Sequence, residues 1–300
     1  MIPLHLPSEA STSSESEDMG RSSLELLGYH FDDHGVMRDM NEKKYEFIDQ
    51  KSYEEIGLAV TEEIYRMMEN PPYNMERCYL NDKDKKKSAF IFLSKDWYQK
   101  EYLIVLIHGS GAVRAGQWSR RLIMNESLNM GSQLPYLQMC RSRDWGVVVM
   151  NTNMNMTDSN LHEPLPGSET PLEHGITVWK TCVARAKASS VAVVAHSAGG
   201  AVIAGILENY WSQEWMKKLK CICLTDAMFT LPSVHAMDWL PVIQDWRATL
   251  HTEIGLQIDN SVVHGSRPYI TYVTAGTSYH EETSAVAIED IFRFIDNYFV

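Results

Sequence analysis

The stretch Val191–Gly200, V-A-V-V-A-H-S-A-G-G, decides the fold, because a buried strand ends in it and a helix begins. Its first five residues are small and apolar, as expected of a central strand in a parallel sheet. The two glycines and the A-V-I-A-G-I-L that follows predict a helix directly behind a sharp turn. Ser197 occupies that turn, so the sequence places a hydroxyl group between a strand and a helix.

A serine at such a turn suits nucleophilic catalysis, and the arrangement is the sequence form of the nucleophile elbow of α/β hydrolases. The turn lifts the hydroxyl above the sheet, and the amides that begin the next helix favour negative charge nearby. The usual pattern is Gly-x-Ser-x-Gly, whereas Ala195 stands at the first glycine position here. The alternative interpretation is structural, with Ser197 as the N-cap of a helix that follows a buried strand.

A second motif comes earlier in the chain and fits the same chemistry. Tyr102–Ile107 is an apolar run that predicts another central strand, and the turn H-G-S-G at 108–111 ends it. In α/β hydrolases the loop after this earlier strand supplies one oxyanion-hole amide, and the residue after the nucleophile supplies the other. An ordinary glycine turn is the alternative. The predicted oxyanion-hole residues are Gly109, Ser110, Gly111 and Ala198.

The remaining members of a catalytic triad follow the elbow in the order acid, then histidine. His280 follows the strand-like run Tyr269–Ala275 and precedes a C-terminal helical pattern, so it is the candidate base. Asp226 ends an earlier strand-like run and is the candidate acid that orients His280. Many α/β hydrolases place the acid after the next strand, so Glu253 and Asp259 are alternatives. A helix-cap or loop role for Asp226 also stays open.

Strand-like apolar runs alternate with amphipathic helical patterns along the chain. This alternation predicts an α/β-hydrolase-like fold, with a mostly parallel central sheet and helices on both faces. Between Asp226 and Tyr269 the one strand candidate is the weak Ser261–His264, so we expect a sheet shortened near its C-terminal end. For the domains we predict a disordered Ser- and Glu-rich tail at 1–23 and a single domain at 24–300.

Composition narrows the possible functions. The formal net charge of −12 argues against direct nucleic-acid binding, because binding phosphates requires clustered Lys and Arg. The five cysteines are odd in number and lack paired metal spacing, which predicts reduced thiols in an intracellular protein without a metal site. We expect no cofactor. No apolar stretch is long enough to span a bilayer, and no signal-peptide pattern precedes the domain.

Taken together, these motifs resemble the argonaute-binding-protein-two (Arb-two) domain over about residues 24–300. The resemblance implies an α/β-hydrolase-like fold and links to Argonaute, small-RNA silencing, heterochromatin or splicing. Ser197 matches the elbow serine of that domain, and Asp226 and His280 match the other two positions. The segments that carry the resemblance are L-I-H-G-S-G (106–111), S-L-N-M-G-S-Q-L-P-Y-L (127–137), W-G-V-V-V-M-N-T-N (145–153), V-A-H-S-A-G-G (194–200), L-T-D-A (224–227) and A-G-T-S-Y-H-E-E-T-S (275–284).

Two functions of different classes stay open, one that the resemblance implies and one that the residues suggest. In the first, the protein is a gene-regulatory protein of the nucleus and cytoplasm that acts through Argonaute, chromatin or splicing proteins. In the second, it is a serine esterase or acyl hydrolase that uses Ser197, Asp226 and His280. The fold alone does not choose between them, because hydrolase folds also host proteins that are not enzymes.

Overall fold

The structure of the protein is a computed structural model that describes residues 22–81, 83–157, 163–233, 235 and 237–299. Most of the tail predicted at 1–23 lies outside these residues. Its last two positions begin a helix, because the Ser22 side chain caps α1 (Ser23–Leu26) by accepting a hydrogen bond from Glu25 N. The ordered region therefore begins slightly before the predicted boundary.

A short hairpin precedes the main sheet, and its strands β1 (Tyr29–Phe31) and β2 (Met37–Asp39) pair antiparallel. In the described part of the chain the main sheet contains nine strands. They are β3 (Glu76–Tyr79), β4 (Phe90–Leu93), β5 (Tyr102–Ile107), β6 (Gly146–Val149), β7 (Ser190–His196), β8 (Leu219–Thr225), β9 (Val242–Arg247), β10 (Ile254–Gln257) and β11 (Thr271–Ala275).

The main sheet has the strand order β3-β4-β6-β5-β7-β8-β9-β11-β10. The six strands from β6 to β11 in this order are parallel, and β3, β4 and β10 pair antiparallel at the two edges. The mostly parallel sheet predicted from the sequence is confirmed. Because carboxyl ends of parallel strands lie at one edge, the residues that follow β5, β7, β8 and β11 are brought together there.

Helices connect the parallel strands and begin at recognisable caps. Asp49 caps α2 by accepting a hydrogen bond from Ser52 N, and Thr170 caps α6, whose first residue is Pro171. The helices after α1 are α2 (Gln50–Glu69), α3 (Arg120–Asn125), α4 (Leu128–Gly131), α5 (Leu134–Ser142), α6 (Pro171–Thr181), α7 (Gly199–Tyr210), α8 (Thr283–Val286) and α9 (Ile288–Asp296).

The sheet is buried on both faces, as β7 illustrates. Its residues Ala192 and Val194 belong to one apolar cluster, which also contains residues of α2, α5 and α9. Its residues Val191 and Val193 belong to a second cluster, which contains residues of α6 and α7. Successive side chains of a strand point to opposite faces, so helices cover both sides and the α/β-hydrolase-like class is confirmed.

The expectation of a shortened sheet is wrong. β9 and β10 both lie between Asp226 and Tyr269, whereas the weak strand candidate Ser261–His264 overlaps a 3₁₀ turn at Asn260–Val262. β9 reads V-I-Q-D-W-R. Its polar residues interrupt the apolar pattern, so the search for apolar runs did not predict this strand. The C-terminal helical pattern is divided between α8 and α9. No helix of the described residues has the length and apolar character needed to cross a membrane.

Candidate active site

Ser197 lies at the sharp turn between β7 and α7. Its φ is +52°, in the left-handed region that costs a non-glycine residue about 1 kcal/mol or more. Two backbone hydrogen bonds hold the turn. Ser197 N donates to Thr225 O at 3.2 Å, and Ser197 O accepts from Met228 N at 2.9 Å. The N-cap of α7 is Ala198 and has no side-chain hydrogen bond, so the interpretation of Ser197 as the N-cap is wrong.

Glycines let the backbone segments around Ser197 touch. A Cβ on Gly109 would lie 3.1 Å from Ser197 Cβ, and a Cβ on Gly199 would lie 2.6 Å from the carbonyl oxygen of Ile107. Position 199 therefore requires glycine, because the overlap would be with backbone. Ala195 is a fully buried residue of β7, so the departure from the usual glycine is accommodated inside the sheet.

His280 and Asp226 are brought together. His280 Nδ1 lies 2.6 Å from Asp226 Oδ2. His280 opens a short 3₁₀ turn after β11, and Asp226 follows β8 directly with a φ of +48°. Among the described residues the alternative acids Glu253 and Asp259 form no ion pair with His280. The geometry therefore favours Asp226 as the partner of His280.

Arg247, at the end of β9, contacts the same carboxylate and was missed by the sequence analysis. Arg247 Nε lies 3.0 Å from Asp226 Oδ1, and Arg247 Nη1 lies 3.2 Å from Asp245 Oδ2. Asp226 thus accepts a hydrogen bond from His280 on one oxygen and forms an ion pair with the Arg247 guanidinium through the other. No sequence signal pointed to Arg247, because β9 itself was not predicted.

These contacts set the charge states of the site. Burial acts to raise the pKa of Asp226, but the His280 hydrogen bond and the Arg247 charge outweigh it and lower that pKa. The hydrogen bond with Asp226 raises the pKa of His280, against partial burial, which acts to lower it. Burial raises the pKa of Asp245 to about 6, although Arg247 opposes this effect. At neutral pH Asp226 is ionised.

A second histidine, His196, lies beside the pair. Its ring centroid is 4.8 Å from that of His280, and its Nδ1 is 2.9 Å from Thr225 O. Burial, the largest influence, lowers the pKa of His196 to about 4. His196 is therefore neutral at pH 7 and contributes shape rather than charge to the surroundings of His280.

Ser197, Asp226, Arg247 and His280 line one cavity of about 740 Å³. Within the described ranges no hydrogen bond joins the Ser197 hydroxyl to His280. Such hydrogen bonds are often long before substrate binds and tighten in the reacting complex. The structure thus places the three predicted side chains around one cavity and pairs two of them. Across the same ranges no group of three or more His, Cys, Asp or Glu side chains is arranged to hold a metal ion.

The loop at 109–111 is held by Asn153, which the sequence analysis also missed. Asn153 Nδ2 donates to the carbonyl oxygens of Gly109 and Val113 at 3.0 and 3.1 Å. The available sequence signal for Asn153 was a polar residue shortly after β6. Within the described chain, the candidate oxyanion-hole amides donate no hydrogen bond. They belong to Gly109, Ser110, Gly111 and Ala198.

Comparison with known proteins places these features in a family. The sequence matches the Arb2 domain over residues 21–246. A FAM172 family protein homolog from Caenorhabditis elegans is 37% identical, with 92% of this chain and 87% of that protein covered. A protein named cotranscriptional regulator ARB2A homolog, from Dictyostelium discoideum, is 28% identical, with 92% of this chain and 80% of that protein covered.

Among solved structures, the histone deacetylase Clr3 matches with a TM-score of 0.49 and 12% sequence identity. The match covers 86% of this chain and 40% of that chain. The family match spans more than half of the sequence and includes Ser197 and Asp226. The chain therefore belongs to the Arb2 domain family.

Proposed function

We propose that the protein regulates gene expression by binding protein partners. The observation that carries this proposal is the name of the Dictyostelium relative, a cotranscriptional regulator, aligned over 92% of this chain. The net charge of −12 favours protein partners over nucleic acid, because phosphate binding requires clustered positive charge. We propose Argonaute, chromatin or splicing proteins as the partners, and the nucleus and cytoplasm as the compartments.

Affinity capture tests this regulatory role. The tagged full chain is recovered from nuclear and cytoplasmic extracts, with and without ribonuclease, and co-purifying proteins are identified by mass spectrometry. The proposal predicts that Argonaute, chromatin or splicing proteins are enriched over an unrelated tagged protein of similar charge. This enrichment should survive ribonuclease. Loss of all partners after ribonuclease, or recovery of none from folded protein, contradicts the proposal.

A second candidate function, serine hydrolysis, is favoured by one specific observation. The His280–Asp226 hydrogen bond of 2.6 Å lies at the cavity that Ser197 also lines. A serine hydroxyl is a weak nucleophile unless an adjacent base takes its proton. An imidazole held by a carboxylate beside that serine is the arrangement that supplies such a base.

In this proposal Ser197 Oγ attacks the acyl carbon of an ester while His280 Nε2 takes the hydroxyl proton. Asp226 accepts a hydrogen bond from His280 Nδ1–H and so holds the tautomer that leaves Nε2 free. The amides at 109–111 and at Ala198 stabilise the oxyanion, where losing one donor costs about 3 kcal/mol of barrier. His280 returns the proton to the leaving alkoxide, and a water molecule then releases the acid by the same steps.

Hydrolysis of p-nitrophenyl acetate by purified full-length protein tests the second candidate. We expect turnover above the buffer rate for the wild type and for the control Ser212→Ala, an exposed serine beyond α7. We expect turnover to fall to the buffer rate for Ser197→Ala. Equal rates for wild type and Ser197→Ala would remove the hydrolase proposal and leave the regulatory one standing.

A further inference from the structure

A second cavity, of about 920 Å³, lies between α1, α2, β4 and the segment that follows β6. None of the described residues that line it also lines the Ser197 cavity. Its volume is within the range of about 300–1,000 Å³ that is usual for small-molecule sites. The lining residues that carry the argument are Arg114, Arg120, Leu26, Leu58 and Met156.

Arg120 is a buried cation without an ionic partner. It is 8% exposed, its Nη2 donates to Ala112 O at 2.8 Å, and its Nε has no hydrogen-bond partner in the described structure. A buried charge is normally paired, because removing it from water is costly. Burial also lowers the pKa of Arg120, and the nearby charge of Arg114 adds to this effect. Among the described residues, no carboxylate lies within ion-pairing distance of this guanidinium.

A second arginine brings more positive charge to the same cavity. Arg114 donates to its neighbour Val113 O at 3.0 Å and, like Arg120, forms no ion pair with any described carboxylate. Glu55 and Glu62 also line the cavity, but both are exposed, and neither lies within ion-pairing distance of either arginine. The lining of the cavity thus includes two guanidinium groups that form no ion pair with a described carboxylate.

Large apolar side chains are also exposed along the lining of this cavity. Leu26, Leu58 and Met156 are 54%, 64% and 48% exposed, and all three line the cavity beside Tyr65 and Phe90. We propose that this cavity binds a small amphipathic anion, whose carboxylate or phosphate group contacts Arg114 and Arg120 and whose apolar chain covers the exposed side chains. Guanidinium groups suit both head groups, because carboxylates and phosphates each present oxygen atoms that accept hydrogen bonds from the paired N–H groups of a guanidinium.

Isothermal titration calorimetry with three probes tests the charge requirement. Decanoate and decyl phosphate carry the two head groups, and decanol carries the same chain without charge. We expect binding of one or both anions and none of decanol, and the tighter anion identifies the head group. Equal binding of decanol and the anions, or no binding of any probe, would overturn the proposal.

Arginine variants test the location. Arg120→Met and Arg114→Gln should each weaken anion binding at least tenfold, the usual effect of losing a charge-assisted hydrogen bond. The matched control is Arg121→Gln, the next residue on α3, which pairs with Glu281 outside the cavity. If Arg120→Met does not fold, Arg114→Gln still decides the outcome. Unchanged affinity in the folded variants refutes the site.

Methionine methyl NMR gives a second readout that does not depend on substitution at the arginines. Met154 and Met156 line the proposed cavity, whereas Met228 lines the Ser197 cavity. The anion should shift the methyl signals of Met154 and Met156 and leave that of Met228 unchanged. A shift of Met228 alone would place binding at the other cavity and reject the proposal. We expect the same shifts in a Ser197→Ala background, because the two cavities share no described lining residue and the readout does not depend on hydrolase activity.

Discussion

Asp226 contacts two side chains at once, with His280 at one carboxylate oxygen and Arg247 at the other. A carboxylate bound on both sides keeps a fixed orientation and remains ionised, which fixes the His280 tautomer. Arg247 has a second effect, because its positive charge acts to lower the pKa of His280. These residue contacts allow two predictions about titration.

The first prediction concerns Asp226→Asn. Because the hydrogen bond with Asp226 is the largest influence that raises the pKa of His280, we expect that pKa to fall in the variant. Histidine-labelled NMR titration measures it, with Asp259→Asn, a turn-capping aspartate, as the control. Any ester hydrolysis should drop by about 10⁴-fold, since the wrong tautomer is then favoured. An unchanged His280 pKa contradicts the assignment of this pair.

The second prediction concerns the pH dependence of ester hydrolysis. Only neutral His280 accepts the serine proton, so the rate should rise with pH through the His280 pKa. That pKa is raised above its ordinary value of 6.5, which sets the midpoint above pH 6.5. Arg247→Gln removes a charge that lowers this pKa, so the midpoint should move to higher pH. A midpoint below pH 6.5 in the wild type, or a shift of the midpoint to lower pH in Arg247→Gln, would contradict this prediction.

At the scale of elements, β9 contains a buried carboxyl group in the interior of the sheet, between β8 and β11. Asp245 is 1% exposed, and it contacts Arg247 two residues further along the same strand. A buried carboxyl is costly when ionised, so the strand carries a cost in stability. The partner that reduces this cost is the same Arg247 that contacts Asp226.

The third prediction follows from that buried carboxyl. Its folded-state pKa, about 6, is above the ordinary value of 3.8, so ionisation favours the unfolded chain as pH rises between these values. The free energy of unfolding should therefore decrease over this range because of Asp245, by up to about 3 kcal/mol. Asp245→Asn should remove this decrease in urea unfolding at pH 4 to 8. If the free energy of unfolding depends on pH identically in the wild type and in Asp245→Asn, the raised pKa of Asp245 is wrong.

The fourth prediction concerns the packing of α7 against the loop after β5. In Gly199→Ala the new Cβ would overlap the Ile107 carbonyl oxygen, so we expect a loss of about 1–3 kcal/mol in the free energy of unfolding. Ester hydrolysis should fall as well, because the elbow must shift. The control Gln213→Ala, at an exposed position beyond α7, should change neither quantity. Wild-type stability in Gly199→Ala would contradict the close approach.

The sequence was informative where a local pattern determines an element. β5, β7, β8 and β11 are strand-like runs, and the residues that follow them supply the loop at 109–111, Ser197, Asp226 and His280. Because parallel strands end at the same edge, their order in the chain was enough to bring these residues near one another. The expected triad residues therefore came from sequence pattern and sheet topology alone.

Other parts of the structure depend on contacts that no local pattern encodes. β9 escaped prediction because Asp245 and Arg247 interrupt its apolar pattern, and they are tolerated there because they pair with each other. Arg114 and Arg120 gave no signal either, because the close approach of Gly57 in α2 to the Arg120 side chain is a tertiary contact. Hydrophobic patterning thus does not reveal polar groups that are paired or buried only in the tertiary structure.

At the scale of the whole molecule, the net charge of −12 bears on the regulatory role. The fifth prediction is that the purified chain shows no measurable binding to single-stranded RNA at physiological salt, because excess negative charge repels phosphates. Fluorescence anisotropy with a labelled oligonucleotide measures this, with a basic RNA-binding protein as the positive control. Tight, salt-dependent RNA binding would contradict a role exercised through protein partners.

We propose that Ser197 is reactive because the fold places it at the same cavity as the His280–Asp226 pair. Labelling with a fluorophosphonate, read by intact mass and peptide mapping, tests it most directly. The account predicts a single covalent addition at Ser197 in the wild type, slower labelling in His280→Gln and no labelling in Ser197→Ala. No labelling of folded wild type, or labelling that persists in Ser197→Ala, would contradict it.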